Sequence, residues 1–183
     1  MTVSDDKGNS QDNYSGKEFY SEVFRNVDFS GKDFTNSRFS DCTFENCNLS
    51  NINMGNTRFL NARFDGCKIL GINFTRCNHF LMRMDFSRCI IQMCTFIHLE
   101  QKGICLKECK IYDCDFGYAD LQGADFSGSD LRDSIFQNTN LSGASFINAI
   151  NYSINPNENI IKKAKFSFPE AMSLLDKFDI IIE

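Results

Sequence analysis

The residues that could do chemistry in this 183-residue chain are few in kind: nine cysteines, two histidines and a run of evenly spaced aspartates. Four converging thiolates bind zinc, so Cys89, Cys94, Cys109 and Cys114 raise the question of a tetrathiolate centre. The close Cys-x-x-Cys pairing usual in such centres is missing, and no metal is expected. A thiol beside an imidazole can serve as a nucleophile, which makes Cys105 with His98 the one pairing to weigh. No nucleophile-family pattern surrounds either residue, and a chance pairing in a cysteine-rich chain accounts for it better. There is no phosphate-binding glycine loop and no dinucleotide signature. The expectation is a protein that is not an enzyme and holds no cofactor. The aspartates, Asp115, Asp120, Asp125 and Asp130, recur every five residues and offer a field of negative charge.

That interval of five governs the chain. Large apolar residues, here called centres, run from Phe19 through Phe24, Phe29 and Phe34 to Phe74. The phase then slips by two residues and resumes with Leu81, Phe86, Ile91 and Phe96, through Gln101, to Phe146. Of 19 phenylalanines, 15 are centres, so chance is no explanation. A period of five fits neither a helix nor a simple strand, and it marks an internal repeat. Seven cysteines (Cys42, Cys47, Cys67, Cys89, Cys94, Cys109 and Cys114) stand two residues before a centre, and Cys77 does so in the old phase. Free cysteine behaves as a small buried hydrophobe, so core filling is the favoured reading. Cys105 alone departs from it.

Ala124-Asp125-Phe126-Ser127-Gly128 matches at every position the motif small–Asp/Asn–Leu/Phe–polar–Gly. On these residues the chain resembles the pentapeptide repeat family from Phe19 to Phe146. The resemblance implies an all-β solenoid, a right-handed quadrilateral parallel β-helix with one pentapeptide per side and four sides per coil. Centres and the small residues two before them then face inward, and Phe126 stacks between Leu106 and Phe146. The four aspartates ring one coil. Arg38 and Arg58 share a face, with Arg63 on the next. The 26 centres fill six and a half coils, a column roughly 30 Å long at the usual strand spacing.

In chain order, three regions are expected: a polar, disordered tail over 1–16, the repeat over 17–150, and a C-terminal cap over 151–183, in which Ala164-Lys165-Phe166 reads as one last partial repeat. The interruption at Cys77–Met84 predicts a small outward bulge or a bend. That at Ile97–Ile104, where Gln101 replaces an apolar centre, predicts a turn or short loop with Gly103 supplying an unusual backbone angle. Ser167-Phe168-Pro169-Glu170 reads as a capping box that starts a helix. Ala171, Leu174, Leu175 and Phe178 would fall on one face of it. Ile180, Ile181 and Ile182 then read as a strand closing the end of the column.

Charge separates the halves. From Phe19 to Phe80 there are seven basic and six acidic residues; from Leu81 to Ala149 there are six and nine. No sustained basic stripe supports direct nucleic-acid binding. No apolar run suits a signal peptide or membrane span, so a cytoplasmic location is expected. The length, the interruptions and the apolar ending resemble the quinolone-resistance and microcin-immunity branch of the family. That resemblance implies partial DNA mimicry and a partner in DNA gyrase or topoisomerase IV. It also implies a homodimer joined through Ala171, Leu174, Leu175, Phe178, Ile180 and Ile182. The partner-binding candidates are Asp115, Asp120, Asp125, Asp130, His79 and Gln101. The rival expectation is an interaction scaffold with an unrelated partner.

Overall fold

The computed structural model describes the backbone of residues 3–4, residues 14–178 and residue 180. Within them the chain is a parallel β-solenoid of about seven turns with one short helix. Each coil spans four sides of five residues. The register proves it: Phe19 pairs with Phe39 and Phe39 with Phe59 on one side, and Phe24, Phe44 and Phe64 follow one another on the next. We name the sides by their centres: side a holds Phe34, Phe74 and Phe116, side b Phe39 and Leu121, side c Phe44 and Phe126, and side d Leu49 and Leu131. Among the described residues no helix is long and apolar enough to cross a membrane.

Every position of the five-residue repeat has its own physical task. The centres stack in columns. Phe44 on Phe64, Phe96 on Phe116 and Phe126 on Phe146 lie near-parallel at 4.9, 4.8 and 5.0 Å, while neighbouring sides meet edge-to-face, as Phe116 does with Phe126 at 5.9 Å. Both arrangements suit the aromatic quadrupole. Two residues before the centre, a small side chain donates to the carbonyl of a centre on the preceding coil. Ser129 does so to Leu106, Ser134 to Ile111 and Asn159 to Phe136, at 2.6–3.0 Å. The cysteines join the same scheme. The thiols of Cys42, Cys47, Cys67, Cys89, Cys94 and Cys114 point at the corresponding carbonyls at 3.3–3.7 Å. They are therefore weak donors as well as core filler. All nine are free; eight are buried and Cys105 is half-buried.

The residue just before the centre biases what kind of side forms, although Thr95, Glu100 and Cys105 also make only single bridges. Asp or Asn there turns its Oδ1 back onto the N–H two residues on, as Asp33 does with Thr35, Asn48 with Ser50 and Asp125 with Ser127, at 3.0, 3.1 and 3.0 Å. Such sides make single bridges. Arg38, Thr43, Arg58, Arg63 and Lys68 cannot do this, and their sides become three- or four-residue strands. Asp85 is an exception: it lies in a strand and accepts the Cys105 N–H of the next coil at 3.1 Å. Two residues after the centre the chain turns the corner with positive φ, for example 72° at Gly128 and 55° at Asn56, a region that Gly and Asn enter most readily.

Both ends of the column differ from those the repeat suggests. The first coil starts at Tyr14, whose ring lies 5.2 Å from Phe29, so residues 14–16 belong to the solenoid; Tyr14 sits five before Phe19 and continues the same phase. Val3–Ser4 also pair in parallel with Val23–Phe24. At the other end the ladder runs past 150 to the partial repeat expected at Ala164-Lys165-Phe166, where Phe166 pairs with Phe146. The closing helix, Glu170–Phe178, is 3₁₀ rather than α. No capping box forms, because the Ser167 hydroxyl accepts the Asn148 N–H of the coil below at 2.7 Å. Ile180 is not in a strand, and Ile181 and Ile182 lie outside the described residues.

Two expected outcomes follow from this packing. Phe126 is fully buried, so Phe126→Ala costs ~3–5 kcal/mol, as deep phenylalanine truncations do; an unchanged urea midpoint would contradict the assignment. The second concerns acid. Burial raises the Asp125 and Asp130 carboxyls, but bonds from Lys107 and Ser127, and from Asn151 and Tyr112, outweigh it and leave both below the usual range. A depressed folded-state pKa stabilises above the unfolded value of about 3.9 and is lost as pH falls through the folded one. Asn at both positions keeps an acceptor for the turn but cannot titrate. The double variant therefore shows a smaller drop in Tm between pH 5 and pH 2 than the parent, whereas equal drops would show that these aspartates do not drive acid sensitivity.

Candidate functional site

Where the phase slips, the backbone holds its register on both flanks and throws the extra residues outward. Asn78 N–H still donates to Thr57 at 2.8 Å, and Arg83 N–H donates to Phe59 at 2.9 Å. Ala62 then pairs with Met84 and Phe64 with Phe86, at an offset of 22 instead of 20. Phe64 and Phe86 stack at 4.9 Å, like any other pair in their column. The surplus is taken up between His79 and Met82, closed by a turn bond from Met82 N–H to the His79 carbonyl at 3.2 Å. His79 is exposed, and Phe80 and Leu81 are 71% and 73% exposed. Leu81 is thus not a centre: it sits on the bulge with φ 55°, and Met82 is the buried residue instead.

Gln101 explains how the core tolerates this. It is buried in the centre column of side b, one coil beyond the bulge. Its Nε2 donates to the Met82 carbonyl at 3.0 Å, a group that the bulge has turned inward. The two interruptions of the sequence are one feature in space. No loop forms at 97–104: Leu99 and Ile104 are buried, and the φ of 69° at Gly103 is the ordinary corner angle. His98 and Cys105 are not brought together, since His98 is at the corner after side a and stacks on Tyr118 at 5.0 Å, while Cys105 precedes the side-c centre Leu106. Bulky residues at positive φ gather in this part of the rod, at Leu81, Met93, His98 and Tyr118. Such strain, of order 1–2 kcal/mol each, collects at functional surfaces.

The acidic coil is as regular as its spacing, with one aspartate per side, but its carboxylates are committed. Asp115, Asp120, Asp125 and Asp130 each accept the N–H two residues on, at 2.8, 3.2, 3.0 and 3.3 Å. Lys102 lies 3.2 Å from Asp120, Lys107 2.8 Å from Asp125 and Arg132 3.1 Å from Asp130. Asp115 alone of the four has no cation within 4.0 Å among the described residues.

The C-terminal candidates divide. With three residues per turn, positions three apart eclipse. Ala171 and Leu174 are half-buried along one edge, with Leu174 against the core. Leu175 and Phe178 form another edge and are exposed, as are Phe168 at 80% and Ile180 at 54%. A single helical face was the wrong geometry for this segment, and it hid the division.

Sequence reasoning also missed a notch of about 230 Å³ at the corner between sides b and c, lined by Asp41, Thr43, Asn61, Arg63, Arg83 and Asp85. A groove of about 480 Å³ that shares Arg63 and Asp85 runs along side c and reaches Cys105. Burial raises the Cys105 thiol pKa, and nearby Asp85 and Asp125 raise it further, which opposes its use as a nucleophile. The signal for the notch was the two-residue slip itself, which brings Arg83 into the column of Asp41 and Asn61.

A family model for the pentapeptide repeat region matches residues 17–80 and 75–146. No curated protein matches the chain. Among solved structures it is similar to QnrB1, a plasmid-mediated fluoroquinolone resistance protein, at 18% identity over 93% of this chain and 92% of that one, with a TM-score of 0.44. It is also similar to HetL of the cyanobacterium Nostoc, a pentapeptide repeat protein involved in heterocyst differentiation regulation, at 17% identity over 85% and 90% with a TM-score of 0.31. Likenesses this distant carry no argument. The family model covers most of the chain, and the five-residue register persists from coil to coil: this chain belongs to the pentapeptide repeat family.

Proposed function

We propose that this chain is a non-enzymatic binding protein that presents its 79–82 bulge to a type II topoisomerase, DNA gyrase or topoisomerase IV, and protects it from a quinolone or a toxin. The observation that carries the binding role is the exposure of Phe80 and Leu81 on a bulge whose flanks are tied into the ladder. Large apolar side chains held in water on a rigid scaffold favour a partner. The topoisomerase is the partner class implied by the sequence resemblance of the interruptions and the C-terminal ending. The acidic coil adds a partial DNA-like field, weakened by its cations. Phe80→Ser with Leu81→Ser removes apolar surface without touching the core, so Tm stays within about 1 °C, as for surface changes in general. In a supercoiling assay with a fluoroquinolone, wild type shifts the inhibition curve and the double variant does not. No effect of wild type at large excess would favour a scaffold for an unrelated partner.

Two copies, in this reading, join through the apolar edge of the C-terminal segment: Leu175, Phe178, Ile180 and the neighbouring Phe168. An isologous contact of this kind covers the same edge twice. Light scattering then gives a dimer for the full chain and a monomer for Leu175→Ser with Phe178→Ser. A monomeric parent would exclude this assembly.

A further inference from the structure

Most of the rod's ion pairs span coils. Arg25 meets Glu45 at 2.6 Å, Arg38 meets Glu18 at 3.6 Å, and Arg88 meets Asp65. Arg63 and Arg83 are exposed and have no carboxylate within 4.0 Å among the described residues, yet both line the same notch. The carboxylates beside them are otherwise engaged. Asp85 stands in register with Arg63 but accepts the backbone N–H of Cys105 at 3.1 Å. Asp41 accepts the Asn61 amide at 3.0 Å. The corner column that runs Ser21, Asp41, Asn61 receives Arg83 next only because the bulge inserts two residues. One sequence event therefore exposes Phe80 and Leu81 and delivers a second guanidinium beside Arg63.

We infer that the notch between Arg63 and Arg83 binds a carboxylate side chain from an acidic, apolar-bearing segment of a partner protein. The planar guanidinium fork matches a carboxylate in two parallel hydrogen bonds. Asp41 and Asp85 in the wall repel a doubly charged phosphate more strongly than a singly charged carboxylate. Thr43 adds a hydroxyl donor to the lining. The apolar part of the segment lies against Phe80 and Leu81, only three and two residues before Arg83. This inference rests on the bulge being the partner face, and not on the partner being a topoisomerase. It reverses the sign of charge that DNA mimicry asks for: here the rod supplies the cations.

The test uses the full chain and a fluorescent synthetic peptide rich in glutamate with two leucines, followed by anisotropy. A matched peptide with glutamine for every glutamate is the second arm, and inorganic phosphate is a competitor. The expected result is that Arg63→Gln and Arg83→Gln each weaken binding by about tenfold, as loss of a charge-assisted pair does. Arg58→Gln, off the notch, leaves binding unchanged, and the glutamine peptide binds as weakly as the variants do. Phosphate displaces the peptide no more than chloride at equal ionic strength. Equal binding of the two peptides, or full affinity in both notch variants, overturns the inference. So does phosphate displacement beyond the chloride control, which would make the notch a general oxyanion site. A peptide that binds as expected, beside a topoisomerase assay without effect, would leave the notch standing and reject only the proposed partner.

Discussion

The hydrogen bond from each coil to the next is the constraint on which everything else depends. A coil can donate its side N–H groups to its neighbour only if residues 20 apart stay in register, and the ladder keeps that register over most of the rod. Four corners must then be turned every 20 residues, and positive φ two residues after nearly every centre turns them. The inward space is narrow, so it takes one large and one small side chain per side. The small residue supplies a donor for a centre carbonyl, which is why serine, threonine, asparagine and cysteine share its position. The composition of the chain, rich in phenylalanine, cysteine and asparagine, is the residue-level image of this one ladder.

The fold was legible because its period is short and its positions are chemically distinct. Phe126 and its partners, the inward cysteines, the ring of four aspartates and the Arg38–Arg58 pair all lie where the count of five puts them. What counting could not reveal is which partner a polar side chain prefers. Asp120, Asp125 and Asp130 sit outside as expected, yet each is held by a backbone N–H and a cation, so their field is smaller than their number. The helix went astray for a similar reason. The apolar pattern of Ala171, Leu174, Leu175 and Phe178 fits 3.6 residues per turn, but the segment winds at three and separates the first two from the last two.

The bulge was visible as a lost phase but not as a surface. Leu81 fits the resumed count and is nevertheless outside, because the ladder restarts at Met84 rather than at the next apolar residue. Gln101 looked like a second fault and is instead the repair of the first. A long amide in the centre column reaches the Met82 carbonyl, and an apolar residue there would remove that bond from it. The unusual centre and the extra residues make sense only together.

The stack of Phe64 on Phe86 has a broader meaning. Those rings are 22 residues apart in sequence and no further apart in space than rings separated by 20. A lattice physicist would call the bulge a point defect: the disturbance is taken up by the next coil, and the ring stack passes it at its ordinary spacing. Each coil touches only its neighbours, so the array has no long-range memory of how much chain was inserted. Loop length on such a rod is a free variable in evolution. A lineage can lengthen, shorten or recharge an outward segment while the column beneath it remains the same, and a family with one architecture can in this way acquire many partners.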